Sequence, residues 1–402
     1  MTSRTRWISI SVVLVVAVIV ALIWNWSLIK PQYKTSKPST VERIMKQPIV
    51  ALKTANLPRT PPAPRPPQCK AQPRLLEAHG VWVVNWSTNN GPLPVADLVD
   101  FAWLTWTGEN QIKEQFNPRL KTALARQADE YPCQWRLVTL SDGHEEATRI
   151  AMAKLLMSGA ARNEHVTRIA EFMSHQPQAH GLTLDYEFAL PTTSQEISRL
   201  YSRYLTAEQR QAPFDQQVDY ITQGYTDLVA KLTQAMHMQD RILRVAALVR
   251  EQDQVSTTYV PPFIMDYTGL RQHANQVILM AYNHHWQTSD PGAISPTTWV
   301  ASIWEHVATD DESKLALAIP SYGYDWKVDA AGKRTGGSAK IITGSAQPNW
   351  TKLETIDGEH RFSYTDEAGL KHEVWLPAPD EKQQLAESVT SGAPTMIWRV
   401  EY

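Results

Sequence analysis

From Gly80 onward, short apolar runs alternate with longer stretches whose apolar residues recur every three or four positions. The short runs are Val81–Asn85, Phe101–Trp106, Arg136–Leu140, Leu182–Glu187, Leu243–Val249, Val277–Tyr282, Leu315–Pro320 and Thr395–Arg399, each of strand length. The longer ones, Glu145–Met157, Glu164–Ser174, Thr193–Thr206, Gln216–Met236, Pro296–Ala308 and Glu381–Val389, carry helical periodicity. This rhythm predicts an α/β chain closed into one (β/α)8 barrel, the TIM barrel, with insertions. The rival is an open doubly wound sheet, which normally places a glycine-rich phosphate turn after its first strand. Here that strand ends Asn85-Trp86-Ser87, so the barrel is preferred. Between Tyr324 and Val374 the helical signal vanishes, and Lys340–Ile342, Arg361–Tyr364 and His372–Leu376 read as strands between glycines. A small β-rich insertion is therefore expected at about 327–378, between the seventh and eighth barrel strands.

The start of the chain follows another pattern. Arg4 and Arg6 precede an uncharged run from Trp7 to Ile29. The run is long enough to span a bilayer with some tilt and too long for an ordinary signal-peptide core. Residues 1–29 are read as an uncleaved transmembrane signal anchor, with Trp24 and Trp26 near its outer end. Arg4 and Arg6 favour an N-terminus inside, while Lys30, Lys34 and Lys37 compete. The N-terminus is placed inside and the body outside the cytoplasm, periplasmic or at the cell surface. Residues 30–74 form a basic linker with prolines crowded from Pro58 to Pro67, expected to be extended and semi-rigid. Within it, Val41, Ile44, Met45, Ile49 and Leu52 hint at a short helix that docks on the body. The folded body is set at 75–402.

Charge sharpens this division. Residues 1–79 hold 12 Lys/Arg against Glu42 and Glu77, leaving 27 bases and 39 acids of the chain's 39 and 41 to the rest. An acidic body argues against nucleic-acid binding, and a basic stalk suits an anionic membrane surface or plain solvation. Fifteen Trp against seven Phe suit a carbohydrate site, because indoles stack on sugar faces. Two cysteines, Cys69 and Cys133, exclude a zinc site or a disulfide framework and leave one disulfide or two thiols open. The adjacent His284 and His285 diverge without a third ligand, so no metal and no cofactor is expected.

The chemistry concentrates in His180-Gly-Leu-Thr-Leu-Asp-Tyr-Glu187. Strand alternation puts Thr183, Asp185 and Glu187 on the lumenal side of a barrel and Leu182, Leu184 and Tyr186 on the helical side. Two neighbouring buried acids repel, so one keeps a proton near neutral pH, as a general acid for glycosidic cleavage requires. The end of a barrel strand is also where such folds hold their catalysts. The plainer alternative is a salt bridge to a lumenal base. No inward Arg or Lys stands out on the assigned strands, which favours catalysis.

This run resembles the Asp-x-x-Asp-x-Asp-x-Glu signature of family 18 glycoside hydrolases, the chitinase-like enzymes. Asp185 and Glu187 match its last two acids, while His180 and Thr183 replace the first two. Met280-Ala-Tyr282-Asn283 resembles the family's sixth-strand motif, Ile319-Pro-Ser-Tyr-Gly-Tyr-Asp-Trp326 its seventh-strand exit, and Trp398 its eighth-strand tryptophan. Phe362-Ser-Tyr-Thr365 with Lys371-His-Glu-Val-Trp375 looks like the insertion of the bacterial spore-cortex and peptidoglycan glucosaminidase branch. The resemblance implies cleavage of β-1,4 bonds beside N-acetylglucosamine, with retention, the substrate's own acetamide acting as nucleophile. Glu187 would be acid and then base, Asp185 would orient the acetamide, and Tyr282 would hydrogen-bond its oxygen. Trp398 would stack under the sugar, and Met280, Asn283, Thr183, Trp86 and Tyr322 would line its site. The partners implied are a polysaccharide containing N-acetylglucosamine and, through the N-terminal helix, a membrane. Peptidoglycan or a related wall glycan is the first substrate reading, and chitin or its oligosaccharides the second. The reading of another class is a catalytically silent binding protein, against which Glu187 counts and for which His180 and Thr183 count.

Overall fold

The computed structural model describes residues 57–64, 66, 69, 74–84, 96–108, 111–114, 118–249, 264–308 and 312–401. The expected anchor, most of the linker and Trp86 lie outside them. Among the described residues no helix is long and apolar enough to cross a membrane.

The body runs in chain order through β1 (Gly80–Val84), β2 (Leu98–Trp106), β3 (Ile112–Glu114), α1 (Pro118–Glu130), β4 (Trp135–Asp142), α2 (Glu146–Met157), α3 (Gly159–Ser174) and β5 (Gly181–Asp185). A helical turn at Ser194–Glu196 running into a π-helix at Ile197–Tyr201, and α4 (Ala207–Gln211), then lead to α5 (Phe214–His237), β6 (Ile242–Ala247), α6 (Tyr267–His273), β7 (Gln276–Met280), α7 (Thr297–Val307) and β8 (Leu315–Pro320). The insertion supplies β9 (Tyr322–Val328), β10 (Lys340–Thr343), β11 (Thr351–Ile356), β12 (Glu359–Thr365) and β13 (Lys371–Pro377), before α8 (Pro379–Val389) and β14 (Thr395–Glu401).

Strands β1, β2, β4, β5, β6, β7, β8 and β14 pair in parallel, and the β14–β1 ladder closes the ring. All eight expected strands are present as barrel strands. Alternation along them sorts the side chains. Val99, Phe101, Val138, Leu140, Leu182, Leu184, Val245, Val277 and Leu279 pack outward under the helices. Trp82, Leu98, Leu137, Ala246, Ile278, Met280, Ala316, Ala318 and Met396 fill the lumen. Helix α5 shows why the outer ring holds. Val218, Ile221, Tyr225, Leu228, Leu232 and Ala235 make one buried stripe at helical spacing. Gly224 lets α5 touch α2, since a Cβ there would sit 1.9 Å from the Leu156 carbonyl oxygen.

The insertion is a five-stranded antiparallel sheet in the order β10-β9-β13-β12-β11, and it starts at Tyr322, ahead of the expected boundary. Each of its faces carries an apolar cluster. Tyr322, Tyr324, Trp326 and Trp375 pack with Ala293 and Ile294 on the barrel side, while Phe362, Val374 and Leu376 gather Ile342, Trp350 and Tyr364 on the other. The fully buried Glu359 fastens this sheet to the barrel. It accepts the Ile294 and Ser295 amides at 2.7 and 2.8 Å and pairs with Lys382 of α8 at 2.8 Å.

The end of the proline-rich stretch belongs to the body, a correction to the expected boundary at 74/75. The Thr60 carbonyl accepts from Arg241 at 2.6 Å, the Ala63 amide donates to the Pro177 carbonyl at 2.7 Å, and Cys69 is disulfide-bonded to Cys133. Leu57 is buried in the outer core. Arg241, Pro177 and Cys133 all precede strands, so these fastenings lie at the barrel's N-terminal end.

Candidate active site

β5 stops at Asp185 and β7 at Met280, so Glu187 and Tyr282 stand on loops at the opposite, C-terminal end of the barrel. Strand alternation therefore does not place Glu187, contrary to expectation. Two anchors do. Tyr186, between the acids, is fully buried with its hydroxyl 2.6 Å from His165 Nε2 and its ring stacked on Trp106 at 5.6 Å. Burial, reinforced by the charge of Arg168, pushes the His165 imidazole down to about 3, so it stays neutral. The second anchor is Asp142, the last residue of β4, which accepts the amides of Glu187, Phe188 and Ala189 at 2.9, 3.0 and 2.7 Å.

The carboxyls meet in a setting that disfavours charge. Burial and then the Asp142 carboxylate push Glu187 up to about 7. Burial, followed by the charges of Glu187, Asp142 and Asp100, holds Asp185 well above the ordinary carboxylate range. Burial lifts Asp142 to about 6 despite its amide donors. The Asp185–Glu187 pair thus retains a proton at neutral pH and titrates as a unit. Tyr282 lies within reach of the same charges. Burial, Glu187, Tyr322, Asp185 and Tyr324 hold its phenol well above its usual value, so it remains a hydrogen-bond donor.

An aromatic floor adjoins the acids. The rings of Tyr282 and Trp398 are parallel within 5° at 6.5 Å, and Trp398 meets Trp82 edge-on at 5.5 Å. Trp82 donates to Thr139 at 3.0 Å, Thr139 donates to Asp100 at 2.6 Å, and Thr183 donates to the other Asp100 oxygen. Arg244 lies 3.9 Å from that oxygen, both side chains fully buried. The sequence reading found no inward base. The structure supplies one, and it faces Asp100 of β2 rather than the Asp185–Glu187 pair.

Of the expected sugar-lining residues, Trp398 is partly exposed beside Tyr282, and Asn283 is exposed at a left-handed φ of 65°. Asn283 Oδ1 accepts from the Tyr322 and Tyr324 hydroxyls at 2.6 and 2.8 Å, tying the β7 exit to the insertion. Thr183, Met280 and Tyr322 are buried, Met280 in the lumenal cluster against which Tyr282 and Trp398 pack. Tyr324 and Trp326, of the same motif as Tyr322, are buried as well. Trp86 lies outside the described residues. The first motif position, His180, is buried, takes the Arg136 amide at 3.2 Å and meets Trp135 edge-on, so it serves the barrel wall. Sequence reasoning missed Asp100, Asp142, Arg244 and two rings left 47% and 52% exposed, Phe188 next to Glu187 and Trp286 beyond the β7 exit. Asp142 had a signal in an acid ending a strand ahead of Gly143. Asp100 lay just before the assigned strand.

Comparison with known proteins agrees with this geometry. Residues 100–388 match the glycosyl hydrolases family 18. Over 166 residues the chain is 27% identical to the uncharacterized glycosylase YvbX of Bacillus subtilis (strain 168), covering 38% of this chain and 44% of that protein. It is 29% identical over 119 residues to the cortical fragment-lytic enzyme of Bacillus anthracis, 28% of this chain and 27% of that one. The matches thus span less than half of these relatives' length. The chitinase of Chromobacterium violaceum ATCC 12472 shares the fold, with a TM-score of 0.59 at 15% identity over 80% of this chain and 94% of that one. With the family match running from β2 into α8, over more than half of the residues, the chain belongs to glycosyl hydrolase family 18 and is a glycoside hydrolase.

Proposed function

We propose that this enzyme cleaves β-1,4 bonds beside N-acetylglucosamine in peptidoglycan or a related wall glycan, with retention of configuration. The reading is carried by the two buried carboxyls of Asp185 and Glu187, both held above their ordinary range at the C-terminal end of the barrel beside the phenol of Tyr282. In the proposed cycle Glu187 gives its proton to the glycosidic oxygen as the bond to the anomeric carbon breaks. The substrate's acetamide oxygen closes on that carbon to form an oxazolinium ion. Asp185 accepts the acetamide N–H and balances the developing positive charge, and Tyr282 donates to the acetamide oxygen. Trp398 supports the sugar face. Water then attacks the anomeric carbon, Glu187 takes its proton, and the acetamide is restored. The likeness to cortical fragment-lytic and glycosylase relatives supports a wall glycan, and the fold shared with a chitinase supports chitooligosaccharides as the second substrate. The apolar run 7–29 supports a membrane-anchored enzyme with its body outside the cytoplasm.

The test is turnover of peptidoglycan beside chitotetraose, with Glu187→Gln as control and the product anomer followed by NMR. Expected are a β product at early times and a loss of ~10²–10⁴-fold or more in the variant. Activity should fall as pH rises through about 7, where Glu187 loses the proton it must donate. Oligosaccharide binding without product from either substrate would establish the silent binding protein instead.

A further inference from the structure

The insertion sheet has a second face that the catalytic reading does not use. Alternate residues of a strand point to opposite sides, so Asp325 faces away from Tyr324 and Trp326, which pack toward the barrel. Lys340 is paired directly with Asp325 and shares its side, and so does Tyr364 through the Tyr364–His372 and His372–Lys327 pairings. On this outer side lies a recess of about 410 Å³ lined by Asp325, Lys340, Thr343, Gln347, Asn349, Trp350 and Tyr364 among others.

Its construction is that of a built polar site. Asp325 is 7% exposed, with one carboxylate oxygen 2.7 Å from the Tyr364 hydroxyl and the other 2.7 Å from His372 Nδ1. A carboxylate has about four acceptor positions, so two remain for a ligand. Three rings stack in a ladder, His372 on Tyr364 at 4.5 Å and Tyr364 on Trp350 at 5.8 Å, with Trp350 partly open. A stiff, partly exposed indole beside a fixed acceptor and the exposed amides of Gln347 and Asn349 is suited to a pyranose. The ring's C–H face lies on the aromatic surface while its hydroxyl and amide protons go to the oxygens.

We infer that this recess is a second, non-catalytic glycan-binding site, which holds an N-acetylglucosamine-containing polymer on the side of the insertion facing away from the cleft. The choice of polymer rests on the proposed substrate class. The existence of the site does not. Such a site keeps the enzyme on an insoluble wall between cuts, raising the local substrate concentration without entering the reaction.

Two readouts separate the possibilities. Co-sedimentation of the full chain with insoluble peptidoglycan and with chitin, all in the Glu187→Gln background, measures retention. Turnover of soluble chitotetraose by chains with Glu187 intact measures the cleft. Trp350→Ala and the exposed rim variant Asn349→Ala should each weaken retention, by about tenfold for Trp350→Ala, with tetrasaccharide turnover unchanged. Retention unaltered in the rim variant and in a Trp350→Ala chain of normal thermal midpoint overturns the site. If Trp350→Ala fails to fold, Asn349→Ala and Gln347→Ala together decide in the same way. Failure of the wild-type chain to cut any substrate overturns the functional proposal alone, since retention is read without turnover.

Discussion

Asp100 and Arg244 are a buried ion pair with unequal ways of surviving a lost partner. Burial and the opposing pull of Arg244 leave Asp100 above its ordinary range, and burial pulls Arg244 down to about 10. A buried carboxyl stripped of its cation is pushed further up and can escape its charge by taking up a proton, whereas a guanidinium stripped of its anion stays charged. Arg244→Leu should therefore be the milder change and should recover stability as pH falls from 8 to 5. Asp100→Leu should cost about 3–5 kcal/mol at both pH values. Thermal melts across pH check the asymmetry, and equal losses would contradict it. The Asp100 charge also helps hold Asp185 up, so a lumenal acid on β2 acts on the proposed acid pair where Thr183 stands at the family's acidic position. The proposed catalytic residues Asp185, Glu187 and Tyr282 could be singled out in sequence because they fall in short ordered motifs. This supporting pair was not, because strands distant in sequence bring it together and each residue alone reads as an interruption of an apolar run.

At the scale of elements, the turn after β5 depends on one acceptor. Asp142 gathers three consecutive amides, one belonging to Glu187 itself, in a pattern usual at helix starts rather than strand ends. Asp142→Ala should release that turn and lower kcat by about 100-fold or more, since small misplacement of an acid is costly. Asp142→Asn should keep part of the turn. It also removes a negative charge that raises Glu187, so the alkaline limb of the pH–rate profile should move to lower pH. A limb that stays in place would show that Asp142 acts through geometry alone. The elements themselves were largely readable, since all eight barrel strands lie in apolar runs bounded by polar turns. Helix α1 was missed because its sequence, Pro118 to Glu130, carries few large apolar residues and many polar ones. Strand ends were misplaced by about two residues where the active-site turns begin, because an apolar run does not record where pairing stops.

For the whole molecule, the Cys69–Cys133 bond closes a loop of sequence separation 64, worth about 4 kcal/mol by chain entropy. The Cys69→Ser, Cys133→Ser double variant should melt several degrees lower and keep its kcat at 25 °C, the bond lying far from Glu187. A loss of kcat at 25 °C would place the bond in the catalytic end's support. Pairing could not be decided from two cysteines in sequence, because the proline-rich stretch gave no sign that it docks. That docking sets a working distance. The described residues between Leu57 and Cys69 are fastened to the base of the barrel, so with the anchor proposed above the stretch of chain between anchor and body is residues 30–56. Covalent geometry caps their span at about 90 Å. Under that proposal the length of this leash bounds how far from the bilayer the body can work, a reach that would shrink or grow with each residue removed from or added to it.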